Sequence, residues 1–237
     1  MINSMMNDIE SGDVRALSRA ISLVENDGLS SIEPPSIKVP VIGITGPPGA
    51  GKSTLTDKLI AQFIRNDESV AVLCIDPSSP FTKGAILGDR IRMSEWYTHD
   101  QVFIRSLATR GSLGGLPRKA KDIVTLVSYA PYDAIIVETV GVGQNEVEIA
   151  SLADVTIVVL VPEAGDDVQF MKAGLMEIGD VFVVNKSDRP GADLFAKKIK
   201  EMLHDKDAAN RSVIKTIANT NVGVGDLYSI IKEKIYS

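Results

Sequence analysis

One cysteine and two histidines are all that this 237-residue chain holds of the residues that form disulfides or Cys/His metal motifs. Cys74 has no partner for an intrachain disulfide, and His99 and His204 lie too far apart in sequence to form a Cys/His metal motif with it. Its apolar neighbours in Val70 to Ile75 predict a buried strand residue. No run of eighteen apolar residues is present, which excludes a helical membrane span. Met1 to Ile9 lacks the basic start and apolar stretch of a secretory signal, so a soluble, cytoplasmic protein is expected. A basic excess is missing too: 25 Lys plus Arg stand against 31 Asp plus Glu, a net charge of -6. That balance disfavours nucleic acid, whose binding needs a concentrated positive footprint.

What is present is ordinary globular composition, 44% hydrophobic and 24% charged, at a length suited to one α/β domain with a modest appendage. Val14, Leu17, Ile21 and Val24 form the apolar stripe of an amphipathic helix over Asp13 to Glu25. The segment Asn26 to Ser36, with Asn26, Asp27 and Gly28 followed by Ser30, Ser31, Pro34, Pro35 and Ser36, then breaks helix. The expected organisation is an N-terminal helical extension over 1–37 and a main domain over 38–237. Within the latter, Val39 to Thr45, Val70 to Ile75, Ala134 to Val137, Val155 to Val161 and Val181 to Val184 read as buried strands, with weaker strands at Val102 to Ile104 and Ser212 to Ile217. Helices are expected from Ser53, Asp89, Pro117, Glu146, Asp167 and Ala192, and over Val224 to Tyr236. Wholly apolar strands alternating with helices predict an α/β fold with a mostly parallel sheet covered on both faces.

Between the first strand and the helix at Ser53, the residues Gly46, Pro47, Pro48, Gly49, Ala50, Gly51, Lys52 and Ser53 match G-x-x-x-x-G-K-[ST], followed by Thr54. Glycines let backbone N–H groups close around phosphates, Lys52 brings charge to the β and γ oxygens, and Ser53 can place its hydroxyl on Mg²⁺. After a later strand, Asn185, Lys186, Ser187 and Asp188 match N-K-x-D. A carboxylate at Asp188 can accept from the ring N–H and exocyclic amine of guanine, a donor pair that adenine lacks. Lys215 to Ala218 stands where a base-supporting loop is expected, with Ile217 in place of the usual serine and Ala218 offering its backbone. The pair of motifs points to GTP and GDP as ligands.

Three acids end apolar runs or precede a helix. Glu138, with Gly141 three residues on, forms a Glu variant of the D-x-x-G element. Its carboxylate can reach Mg²⁺ or a metal-bound water, and Gly141 can meet a γ-phosphate through its N–H. Asp76 ends another strand, and Asp89 can equally cap the helix that follows it.

Taken together, Asp76 to Thr82, Gly84 to Met93, Ala108 to Gly111 with Leu113 to Leu116, Glu138 to Gln144, Gly165 to Gln169 and Lys172 resemble the MeaB/ArgK family of GTPases. Those proteins chaperone adenosylcobalamin-dependent methylmalonyl-CoA mutase and its relatives, and were once labelled transport ATPases. The resemblance implies that Asp76, Asp89 and Glu138 surround Mg²⁺ with Ser53. It also implies one switch before Asp89, a second over Thr139 to Gln144, and a client-facing segment from Pro162 to Lys172 that includes Asp166 and Gln169. A cobalamin-dependent acyl-CoA mutase is therefore the expected partner. Lys83 and Glu163 replace glycines common in the family, and no C-terminal helical arm follows Ser237, so a monomer or a dimer built on another surface is expected. A nickel-type metallochaperone GTPase and a transport-associated ATPase or kinase are the alternatives. Val142 occupies the position after Gly141 where many small GTPases carry glutamine. Slow hydrolysis is expected without a partner, with Arg90, Arg92, Arg105, Arg110 and Lys172 as candidate cations.

Overall fold

Stretches that are apolar at nearly every position gain most when both faces are covered, and seven of them assemble into one sheet. A computed structural model describes residues 2–26, 28–29, 32–76, 90–108, 119–139, 145–162, 174–203 and 210–236. The strands are β1 (Val41–Thr45), β2 (Val70–Asp76), β3 (Val102–Ala108), β4 (Ala134–Glu138), β5 (Val155–Leu160), β6 (Val181–Val184) and β7 (Ser212–Lys215). They lie in the order β3-β2-β4-β1-β5-β6-β7, and every pairing is parallel. All seven expected strands form. The weaker β3 runs four residues past its expected end at Ile104, paired along its whole length with β2. Ile217 leaves β7 to make an isolated antiparallel bridge with Val222.

The period of two along each strand divides the core. Ile42, Ile44, Val72 and Ile136 face a cluster with Leu55, Leu59 and Phe63 of α3 (Lys52–Arg65) and Leu227 and Ile231 of the helix Val224–Tyr236. Val41, Leu73, Ile135 and Val137 face the other way, onto α2 (Val14–Glu25), α4 (Ala120–Val127) and α5 (Asn145–Ala150). Helix Ala192–Met202 covers β6 through Ala196 and Ile199. The helix expected from Asp89 is a 3-10 helix, Arg90–Trp96, and the one expected at Asp167 lies outside the described residues.

Two features of the front segment differ from expectation. A helix not read from the sequence, α1 (Ile2–Glu10), precedes α2 and buries Ile9 completely; Ile2, Met5, Met6 and Ile9 do stand at helical spacing, a signal that sequence reasoning passed over. Leu17, Ile21 and Val24 of α2 are buried as the stripe requires, but Val14 is exposed because the helix has only just begun there. Asp13 caps α2, accepting from the N–H groups of Arg15 and Ala16 at 2.7 and 2.9 Å. Arg105 of β3 clasps the other end, donating to Glu25 and Ser22 at 3.0 Å each.

Candidate nucleotide-binding site

In an open parallel sheet, connections diverge where the chain leaves a central strand in opposite directions, and a crevice opens beyond the strand ends there. β1 is that strand, flanked by β4 and β5, and the Gly46–Ser53 loop follows it directly. Gly46 has φ of 137°, and a Cβ there would lie 2.1 Å from the carbonyl oxygen of Val159 on β5. Gly51, at φ 93°, would press a Cβ to 2.4 Å from the Asn185 amide nitrogen. Both glycines are thus dictated by close approach of the loop to its neighbours. Gly51 stands at the N-cap of α3 and makes no side-chain cap there, and a helix N-terminus directed at the end of β1 favours an anion. Lys52 is buried and donates to the carbonyl oxygens of Gly46 at 2.9 Å and Pro47 at 3.1 Å, which holds its charge over the loop.

Glu138, at the end of β4, is 4% exposed. Ser53 donates to its Oε1 at 2.6 Å and Thr56 to its Oε2 at 2.7 Å, joining the loop, α3 and β4 in one buried polar knot. Asp76 ends β2, the strand beside β4; in that register Cys74 lies opposite Glu138. The structure therefore brings Ser53 and Glu138 into contact and puts the backbone of Asp76 at an adjoining strand end. Asp89, Gly141, Asp166, Gln169 and Lys172 lie outside the described residues, as do Val142, Gln144 and Arg110.

Asn185 closes the other side. Its amide donates to the carbonyl of Ala50 at 2.8 Å, while its Oδ1 accepts from Thr216 Oγ1 at 3.0 Å and the Ala218 N–H at 3.1 Å. Lys186, in the left-handed region at φ 55°, donates to the carbonyl of Gly49 at 2.7 Å. The N-K-x-D segment, the phosphate loop and the loop after β7 thus form one unit. They enclose a cleft of about 180 Å³ lined by Gly51, Thr54, Asn185, Lys186, Asp188, Arg189, Ala218 and Asn219.

One candidate cation drops out. Arg105 sits opposite Leu73 in the sheet register, on the face away from α3, with its guanidinium committed to α2. Sequence reasoning passed over Thr56 and gave no side-chain role to Thr216 within the expected base loop; both are fully buried and both are bonded to motif residues. A signal for Thr56 existed: it occupies the core stripe of α3 with Leu59, Ile60 and Phe63, where a hydroxyl needs a partner. Another contact links the 3-10 helix to α3, as Trp96 Nε1 donates to Asp57 Oδ1 at 2.8 Å. Cys74 is buried in β2 and His99 packs edge-on against Trp96, so neither side chain is presented at the cleft. Among the described residues no helix is long and apolar enough to cross a membrane.

An all-parallel sheet whose central strand feeds a G-x-x-x-x-G-K-S loop, tied to an N-K-x-D segment, defines a P-loop GTPase of α/β architecture. The family described as methylmalonyl-CoA mutase-associated GTPase MeaB matches residues 17–236. A provisionally named GTPase of Pyrococcus horikoshii is 47% identical over 244 residues, spanning 98% of this chain and 77% of its own. Over 241 residues, 92% of the chain is 34% identical to 22% of the fused isobutyryl-CoA mutase of Geobacillus kaustophilus. The solved LAO/AO transport system kinase superposes with a TM-score of 0.75 at 26% identity, covering 99% of this chain and 74% of that one. The chain belongs to the MeaB family and is a GTPase.

Proposed function

We propose that this GTPase is a chaperone that gates cofactor loading onto, or protection of, a cobalamin-dependent acyl-CoA mutase in the cytoplasm. The observation that carries the reading is the fused isobutyryl-CoA mutase, a mutase in whose own chain a segment similar to nearly all of this protein occurs. The family's description points to the same class of partner.

The site chemistry follows from the residues. Backbone N–H groups of Gly49 to Thr54 cradle the phosphates, Pro47 and Pro48 having none to offer, and Lys52 neutralises the β and γ oxygens. Asp188 accepts from the guanine N–H groups at the cleft, whose floor is fixed by Asn185 and Ala218. The Ser53 hydroxyl and Glu138 carboxylate are hard oxygen donors in contact at 2.6 Å, a set that suits Mg²⁺. Ser53 and Glu138 would hold that ion, with Asp76 and Asp89 around its waters; when bound, it supplies positive charge to the β and γ oxygens. Water adds to the γ-phosphorus as the bond to the β–γ bridging oxygen breaks, yielding GDP and phosphate. Gly141 reports the γ-phosphate to the segment that follows it, and Asp166, Gln169 and Lys172 face the client.

Single-turnover GTP hydrolysis by the purified protein, with and without isobutyryl-CoA or methylmalonyl-CoA mutase, tests this. A stimulation of at least about tenfold is expected, against roughly 10³ to 10⁵ where an arginine finger is added. Lys172→Ala should abolish the stimulation. Retention of neither mutase on the immobilised protein with any guanine nucleotide would sink the chaperone reading, and preference for ATP would favour the transport-kinase one.

A further inference from the structure

Glu138 takes the place of an aspartate, and the extra methylene gives its buried carboxylate one more torsion to fix. The fixing is done from α3. Ser53 and Thr56 stand one turn apart on the same helix face, and each donates to a different oxygen of the carboxylate, at 2.6 and 2.7 Å. Their positions are not equivalent. Ser53 belongs to the phosphate loop's own motif and has a duty toward the metal, so its bond to Oε1 is shared. Thr56 is fully buried, follows the motif by three residues, sits in line with Leu59, Ile60 and Phe63 on α3, and is not among the residues that line the cleft. A valine would fill that place equally well by volume and burial. The hydroxyl is accounted for by Glu138.

We propose that Thr56 is the positioning residue that selects the working rotamer of Glu138, holding Oε2 against α3 so that Oε1 stays beside Ser53. The inference rests on the assignment of Ser53 and Glu138 to Mg²⁺ made above, and assigns Thr56 no contact with nucleotide. Residues that orient a metal-binding carboxylate commonly govern how tightly the metal is held, while nucleotide contacts made without metal do not pass through them.

The test is the affinity of the full chain for a fluorescent GDP analogue, measured in millimolar Mg²⁺ and again in EDTA. In wild-type protein Mg²⁺ should tighten binding. Thr56→Val should cut that Mg²⁺-dependent gain roughly tenfold while leaving the EDTA affinity unchanged. Thr56→Ser, which keeps the hydroxyl, should restore the gain. In a Glu138→Asp background the shorter side chain no longer spans to Thr56, and adding Thr56→Val should then change nothing further. Thr56→Ala repeats the measurement if the valine variant folds poorly. A full Mg²⁺-dependent gain in Thr56→Val, or an equal loss of affinity with and without Mg²⁺, would overturn the inference. Wild-type affinity that ignores Mg²⁺ altogether would remove the metal assignment beneath it, and the inference with it.

Discussion

Replacing Asn185 by alanine removes one side chain that three separate segments share. The Ala50 carbonyl loses a 2.8 Å donor, and Thr216 Oγ1 and the Ala218 N–H lose an acceptor at 3.0 and 3.1 Å. Asn185 is 2% exposed and Thr216 fully buried, so water does not readily replace what is lost. At about 1 kcal/mol for each neutral hydrogen bond, with part of the desolvation cost added where a group stays unpaired, the loss is about 3 kcal/mol. For a domain of this size that lowers the midpoint of thermal unfolding by roughly 6 to 12 °C. Nucleotide affinity should fall as well, because the phosphate loop and the base loop are no longer held in one frame. Asn185→Asp separates the two halves: it keeps an acceptor for Thr216 and Ala218 but turns an anionic oxygen on the Ala50 carbonyl. Calorimetry and GDP titration on both variants read the result. The reasoning is refuted if Asn185→Ala stays within about 0.5 kcal/mol of wild type, the range of an indifferent surface change, with unaltered affinity.

Asp188→Asn should weaken GTP by tens to hundreds-fold, since a site built around an acceptor leaves buried donors unmatched. Xanthosine triphosphate should gain in competition titrations, and unchanged GTP affinity would remove Asp188 from base recognition. Tyr132, stacked against Phe103 with ring centres 6.2 Å apart, has its phenol pushed up to about 12 by burial. The folded state resists forming the phenolate that the unfolded chain forms near pH 10, so this contribution is complete below pH 10 and lost as pH rises toward 12. Allowing for partial exposure it amounts to at most about 2 kcal/mol, and Tyr132→Phe should flatten that part of the alkaline stability profile. A phenolate absorbance curve for Tyr132 with an ordinary midpoint would contradict it.

Much of this protein was legible along the chain because its signals are local. A strand buried on both faces is apolar at every position, which is why β1, β4, β5 and β6 stand out, and the helix Val224–Tyr236 matches its apolar spacing from end to end. The phosphate loop is equally local, since a tight turn onto a helix constrains eight consecutive residues. β3 was harder to bound, because its partly buried centre at Ile104 to Ser106 interrupts the apolar run.

What the amino-acid order determined alone was the inventory: which segments are strands, where the phosphate loop falls, and where the N-K-x-D segment follows its strand. Tertiary structure decided which residues those motifs lean on. Thr56 and Glu138 are 82 positions apart, and Asn185 and Ala50 are 135 apart. Each pair meets only because β4 and β5 flank β1 on opposite sides, a strand order that no local pattern encodes. The alternation along β3, in register with Leu73 of β2, puts Arg105 on the far face of the sheet, and only the packing of α2 there supplies its partners. Side-chain chemistry is written residue by residue, but burial and partnership depend on contacts closed across the whole chain, and those are fixed only when the sheet is assembled.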